Sequence, residues 1–142
     1  MAATMFERTT EHLCSVQSAI VAAMEGLEPT ARFLHDDWVR DDRPSEGPEP
    51  TLKGWGRTRV IEGGEVLERG GVNISCVSGT FGSQAPSQMP GEGRAFKAVG
   101  ISLVLHPRNP HAPTVHMNYR RLERGSAGWF GGGADLTPSY LY

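Results

Sequence analysis

Apolar residues near the start of the chain recur at three- and four-residue steps. Leu13, Val16, Ile20, Ala23, Met24 and Leu27 fall on one stripe, which predicts an amphipathic helix over about Thr10 to Leu27. Thr9 or Thr10 is the expected cap, and Gly26 followed by Pro29 marks the end. Phe33 to Arg40 reads as a short strand. From Arg57 onward the period changes to two, giving strands over 57–61, 66–69 and 72–78 separated by Gly63-Gly64 and Gly70-Gly71. Residues 41–53 and 82–93, rich in Pro, Gly and acidic or polar side chains, read as loops.

The clearest alternation lies between Arg94 and Glu123. Val99, Ile101, Leu103 and Leu105 share one face of a strand, with Ser102, Val104 and His106 on the other. After a proline-rich turn from Pro107 to Pro113 the alternation resumes. Val115, Met117 and Tyr119 then share a face, opposite Thr114, His116, Asn118 and Arg120. A hairpin centred on Pro110 sets Ser102 across from Asn118 and Val104 from His116, the register that keeps both apolar sets together.

Composition narrows the class. The chain has 142 residues, 38% of them hydrophobic, which suits one domain and is too apolar for a disordered chain. No apolar run approaches the ~18 residues of a spanning helix. A net charge of −2 predicts no attraction to nucleic acid. Two cysteines, Cys14 and Cys76, are too few for a disulfide scaffold or a four-cysteine zinc site, and Cys14 reads as a packing residue. The first residues lack the basic-then-apolar profile of a secretory signal and the Arg-rich, acid-poor profile of a transit sequence, so the expected compartment is the cytoplasm.

Several candidate chemistries fall away. Asp36, Asp37, Asp41 and Asp42 lack the alternation and central glycine of a calcium loop. Asn73-Ile74-Ser75 matches a glycosylation acceptor but sits in a predicted strand, and no G-x-S-x-G surrounds Ser102. The polar hairpin face (Ser102, His106, His116, Asn118, Arg120) reads either as the wet side of a two-faced sheet or as a site. His106 and His116 share that face, but a firm metal centre needs three or four ligands. In Trp129 to Pro138 the Gly131-Gly132-Gly133 triplet lets a backbone approach a flat ligand or another strand closely. Asp135 follows it, either to cap a coming helix or to aim into a ligand site. Thr137-Pro138 is a helix-start signal close to Tyr142, which predicts a piece of a longer protein.

The runs Gly70-Gly71-Val72-Asn73-Ile74-Ser75, Gly100 to Pro107, Asn109 to Arg120 and Trp129 to Pro138 resemble the oxygen-dependent coproporphyrinogen III oxidase family. The resemblance covers most of the chain from Arg57 onward. Before Arg57 the family's run of four glycines is replaced here by Gly54-Trp55-Gly56. The resemblance implies an α+β fold, a large antiparallel sheet flanked by helices, of which this chain is the N-terminal portion. It implies conversion of two propionates of coproporphyrinogen III to vinyls with molecular oxygen as co-substrate, no required organic cofactor, and a homodimer. It implies that Ser102, Asn118, Tyr119 and Arg120 contact substrate, that His116 is the proton donor and that Asp135 faces the pyrrole nitrogens. His106 and His116 would be metal ligands only in a metal-dependent member. The residues fit that chemistry: a guanidinium for a carboxylate, a carboxylate for N–H donors, and an imidazole for proton exchange. The other classes compatible with the sequence are a non-catalytic tetrapyrrole- or carboxylate-binding module and a plain β-rich interaction domain.

Overall fold

A computed structural model describes residues 2–41, 51–83 and 87–140. Helix α1 runs over Met5–Leu27. It starts before the expected Thr10 because Thr4 and Glu7 form a reciprocal cap. Glu7 N–H donates to the Thr4 hydroxyl at 3.2 Å, and Thr4 N–H donates to the Glu7 carboxylate at 2.8 Å. Thr9 and Thr10, the expected caps, lie inside the helix and donate back to the carbonyls of Met5 and Phe6.

Six strands follow: β1 Leu34–Asp41, β2 Thr51–Glu62, β3 Leu67–Thr80, β4 Ala95–Pro107, β5 Thr114–Arg124 and β6 Ala127–Thr137. They form one sheet in the order β1-β2-β3-β4-β5-β6, each antiparallel to its neighbours. The fold is therefore α+β with a large antiparallel sheet, and among the described residues one helix flanks it, on one face.

Three expectations are corrected. The two short strands at 66–69 and 72–78 are one, because Gly70 and Gly71 pair with Ile61 and Val60 on one side and with Leu105 and Val104 on the other. Gly70 is a packing position, since a Cβ there would come within 2.8 Å of a Leu105 methyl. The loop at 41–53 is narrower: Asp41 ends β1 and 51–53 open β2, while 42–50, Asp42 included, lie outside the described residues. The segment from Trp129 to Thr137 is a strand rather than a glycine loop leading to a helix, because its backbone pairs along the whole of β5. Of the 82–93 loop, the described residues carry no helix or strand.

The core lies between α1 and one sheet face. Val72, Ile74, Val99, Ile101, Leu103 and Leu105 are buried there against Leu13 and Val21. The helix stripe is rotated from the expected one. Its centre runs through Leu13, Gln17 and Val21, at i+4 steps, while Ala23 and Leu27 are exposed. Gln17 is fully buried because its amide Nε2 donates to the carbonyls of Arg57 and Val72, both at 2.7 Å. At the helix end, the buried Glu28 carboxylate accepts the backbone N–H groups of Glu65, Val66 and Leu67 at 2.7–2.9 Å. These bonds, the Leu67 N–H foremost, hold its pKa down at about 2. The β2–β3 turn is thereby fastened to the helix. Among the described residues no helix or strand covers the face opposite α1.

Candidate functional site

Strand alternation and register assemble the open face. Across β4, β5 and β6 three rows lie side by side: Val104–His116–Asp135, Ser102–Asn118–Gly133 and Gly100–Arg120–Gly131. The expected hairpin pairs, Ser102 with Asn118 and Val104 with His116, are those observed. Because β6 is a strand, Asp135 stands directly opposite His116, a neighbour the β4–β5 hairpin alone does not provide.

His116 Nδ1 and an Asp135 carboxylate oxygen lie 3.2 Å apart, with the two side chains 56% and 52% exposed. A carboxylate only accepts, so Nδ1–H donates and Nε2 is left for another partner. The Thr137 hydroxyl donates to the other Asp135 oxygen at 2.9 Å. Thr137 thus orients the carboxylate instead of capping a helix. On the adjacent row, Arg120 donates from Nε and Nη2 to the Asn118 side-chain oxygen at 3.0 and 2.7 Å. Asn118 holds one edge of the guanidinium fork, and among the described residues nothing bonds to the other edge at Nη1 on the exposed face.

Not every expected residue joins this group. Tyr119 alternates to the α1 side, 46% exposed, so the Asn118-Tyr119-Arg120 triplet is divided between two faces. His106 is on the open face but pairs with Arg69, beyond the last β4–β5 pair at Leu105 and Val115. Among the described residues no three His, Cys, Asp or Glu side chains gather as metal ligands.

Two features escaped the sequence. Asn73 extends the Ser102–Asn118 row onto β3, and its side-chain oxygen is buried without a described hydrogen-bond partner. Asn73 lies inside the strand expected at 72–78, but the pairing of that strand with β4, which sets Asn73 beside Ser102, has no signal in the alternation alone. The second is a hollow of about 540 Å³ on the open face beside Arg120, between Leu122, Trp129 and Gly131 of the sheet and Gln88 and Met89 of the preceding loop. A separate hollow of about 420 Å³, at the far ends of β1 to β4, contains none of the candidate residues.

One helix on one face of an antiparallel meander, with an imidazole–carboxylate pair and a guanidinium on the other face, defines an α+β protein with an open polar sheet platform. The chain belongs to the coproporphyrinogen III oxidase family, whose model matches residues 8–142. It is 44% identical over 138 residues to an oxygen-dependent coproporphyrinogen-III oxidase of Prochlorococcus marinus (strain AS9601), covering 96% of this chain and 37% of that protein. It is 46% identical over 140 residues to the protein of the same description from Synechococcus sp. (strain CC9605), covering 96% of this chain and 35% of the relative. The chain thus spans little more than a third of the length of these curated relatives. No helix among the described residues is long and apolar enough to cross a membrane.

Proposed function

We propose that this chain carries part of the active site of an oxygen-dependent coproporphyrinogen III oxidase. In that reaction two propionate side chains each lose CO2 and two hydrogens to become vinyl groups, molecular oxygen takes up the electrons, and the product is protoporphyrinogen IX of haem biosynthesis. The observation that carries the reading is the shared open face: Arg120, Asn118, Ser102 and the His116–Asp135 pair lie on adjacent rows in a chain matched to this family along nearly its whole length.

Each residue has a task suited to its chemistry. Arg120, steadied by Asn118, receives a propionate carboxylate with its remaining N–H groups. His116, oriented through Nδ1, exchanges a proton at Nε2 near a propionate carbon. Asp135 keeps unused lone pairs beyond His116 and Thr137, with which it accepts pyrrole N–H groups and balances charge developing on the ring. Ser102 offers a hydroxyl between them. The same reading includes a cytoplasmic setting and a homodimer of the full-length enzyme.

The test is turnover. The chain is supplied with coproporphyrinogen III in air, and CO2 release and the fluorescence of oxidised product are followed beside a full-length relative. Product formation abolished by His116→Ala supports the reading. A full-length protein containing this chain that binds the substrate yet yields no product belongs instead to the binding-module class, and one that does neither is a β-rich interaction domain.

A further inference from the structure

A smaller hollow lies on the α1 side of the sheet, away from the open face. It holds about 200 Å³ between the flank of α1 and strands β1 and β2. That is below the roughly 300–1,000 Å³ of drug-sized ligand sites, so it suits a molecule of a few heavy atoms. Alternation places Arg57 and Arg59, two residues apart on β2, on the same face beside the helix. Ser18, Ala22 and Glu25 line it from α1, one stripe at three- and four-residue steps.

The polar groups of this lining are only half used. Arg59 is 5% exposed, and its Nη1 donates to the Asp37 carboxylate at 2.6 Å and to the Thr58 carbonyl at 2.9 Å. Among the described residues nothing bonds to its Nε or Nη2. Arg57 has no carboxylate within ion-pair distance among them, and its Nη2 reaches only the Ser18 hydroxyl, at a long 3.4 Å. On the helix side, Glu25 accepts the Phe33 N–H through Oε1 at 2.8 Å, while its Oε2 has no described partner. Gln17 also lines the hollow, and its buried Oε1 is likewise without one. One wall therefore has spare donors and the other spare acceptors, and neither arginine pairs with Glu25.

From this juxtaposition we infer that the hollow is a binding site for a small zwitterion of the amino-acid class, its carboxylate on Arg57 and Arg59 and its ammonium on Glu25. A guanidinium fork is the matched partner of a carboxylate, and an ionised carboxylate accepts from an ammonium. A plain anion would meet the negative charge of Glu25, and a plain cation would meet two guanidiniums. A ligand with both charges answers both walls. Val21 and Ala22 supply an apolar patch, which favours a short aliphatic side chain. The site lies across the sheet from the His116–Asp135 pair, so the inference does not rest on the tetrapyrrole reading.

The probes are L-alanine, propionate, which is alanine without its ammonium, and ethylamine, which is alanine without its carboxylate. Each is titrated calorimetrically into the full-length protein containing this chain. The titrations are repeated in Arg120→Ala, which takes the guanidinium of the open face out of the comparison. Alanine should bind at least about tenfold more tightly than either partial probe, with the same affinity in Arg120→Ala. Arg57→Gln and Glu25→Gln should each weaken alanine by about tenfold or more with unchanged circular dichroism. Glu25→Gln keeps the Phe33 bond, because an amide oxygen still accepts, and should narrow the gap between alanine and propionate. Propionate bound as tightly as alanine in Arg120→Ala would mark a plain anion site and overturn the inference. Alanine that shows no saturable binding, or that binds both Arg57→Gln and Glu25→Gln as it binds wild type, would overturn it too.

Discussion

Gln17 offers a sharp test of how α1 is held. Its side chain is fully buried, its Nε2 donates two hydrogen bonds of 2.7 Å to strand carbonyls, and its Oε1 has no described partner. Replacing it by Glu keeps the shape and exchanges the donor for a group that, ionised, would point negative charge at two carbonyl oxygens. Burial and those dipoles push the new carboxyl's folded-state pKa above its unfolded value of about 4.3. The folded variant then holds a proton that the unfolded chain releases, so its stability falls as pH rises. The slope is about 1.4 kcal/mol per pH unit up to the raised pKa, or roughly 2–3 kcal/mol between pH 5 and pH 7. A pH-independent loss of about 1 kcal/mol adds to this, because a neutral acid donates one hydrogen bond where the amide donated two. Gln17→Met removes both bonds and the orphaned oxygen together, and should cost about 1–2 kcal/mol with no pH dependence. Urea unfolding of the three proteins at pH 5, 6 and 7, followed by tryptophan fluorescence, measures all of this. A Gln17→Glu curve running parallel to wild type across that range would refute the argument.

Glu28, whose pKa is held at about 2, contributes stability that is fully present above the unfolded pKa and is lost as pH falls from about 4.3 towards 2. Glu28→Gln should therefore be less stable at neutral pH and show a flatter acid limb in the same unfolding assay. Gly132→Ala should destabilise the chain by about 1–3 kcal/mol through the clash with the Asn118 carbonyl, while Gly131→Ala should be neutral or stabilising by up to about 1 kcal/mol in thermal melts. In the full-length enzyme, Arg120→Lys should recover little of the substrate affinity lost in Arg120→Ala, since an ammonium lacks the fork; equal affinity of Lys and Arg forms in substrate titrations would remove that role. Asp135→Asn should leave the fold intact and lower turnover by orders of magnitude, read as CO2 release, and near-normal turnover would return Asp135 to a structural part.

What the sequence made legible followed from burial on one side only. The β4–β5 hairpin was readable because Val99, Ile101, Leu103 and Leu105 all face α1, and a slip of one residue would turn every one of them outward. Ser102, His116, Asn118 and Arg120 came with it. Strand β6 was hidden because Gly131-Gly132-Gly133 carries no side-chain alternation to betray a strand, and its pairing with β5 supplies what its own residues do not. The His116–Asp135 contact was hidden for the same reason. The Gln17 position was missed because a polar residue enters a core only when distant carbonyls accept from it, and those lie 40 and 55 residues away. Tyr119 lies on the face that the alternation gives it, with Val115 and Met117, although the family motif names it together with Asn118 and Arg120.

The unbroken strand order has a consequence for synthesis. Every strand pairs with the one made just before it, so the sheet can grow from one edge as chain leaves the ribosome, each new hairpin docking on a finished neighbour. The helix does not share this schedule. α1 precedes the six strands but packs on β3, β4 and β5, so its apolar stripe stays without its partner strands until Arg124 has been translated. During that interval the apolar stripe of the nascent helix faces water, and slow synthesis of β3 to β5 would lengthen its exposure.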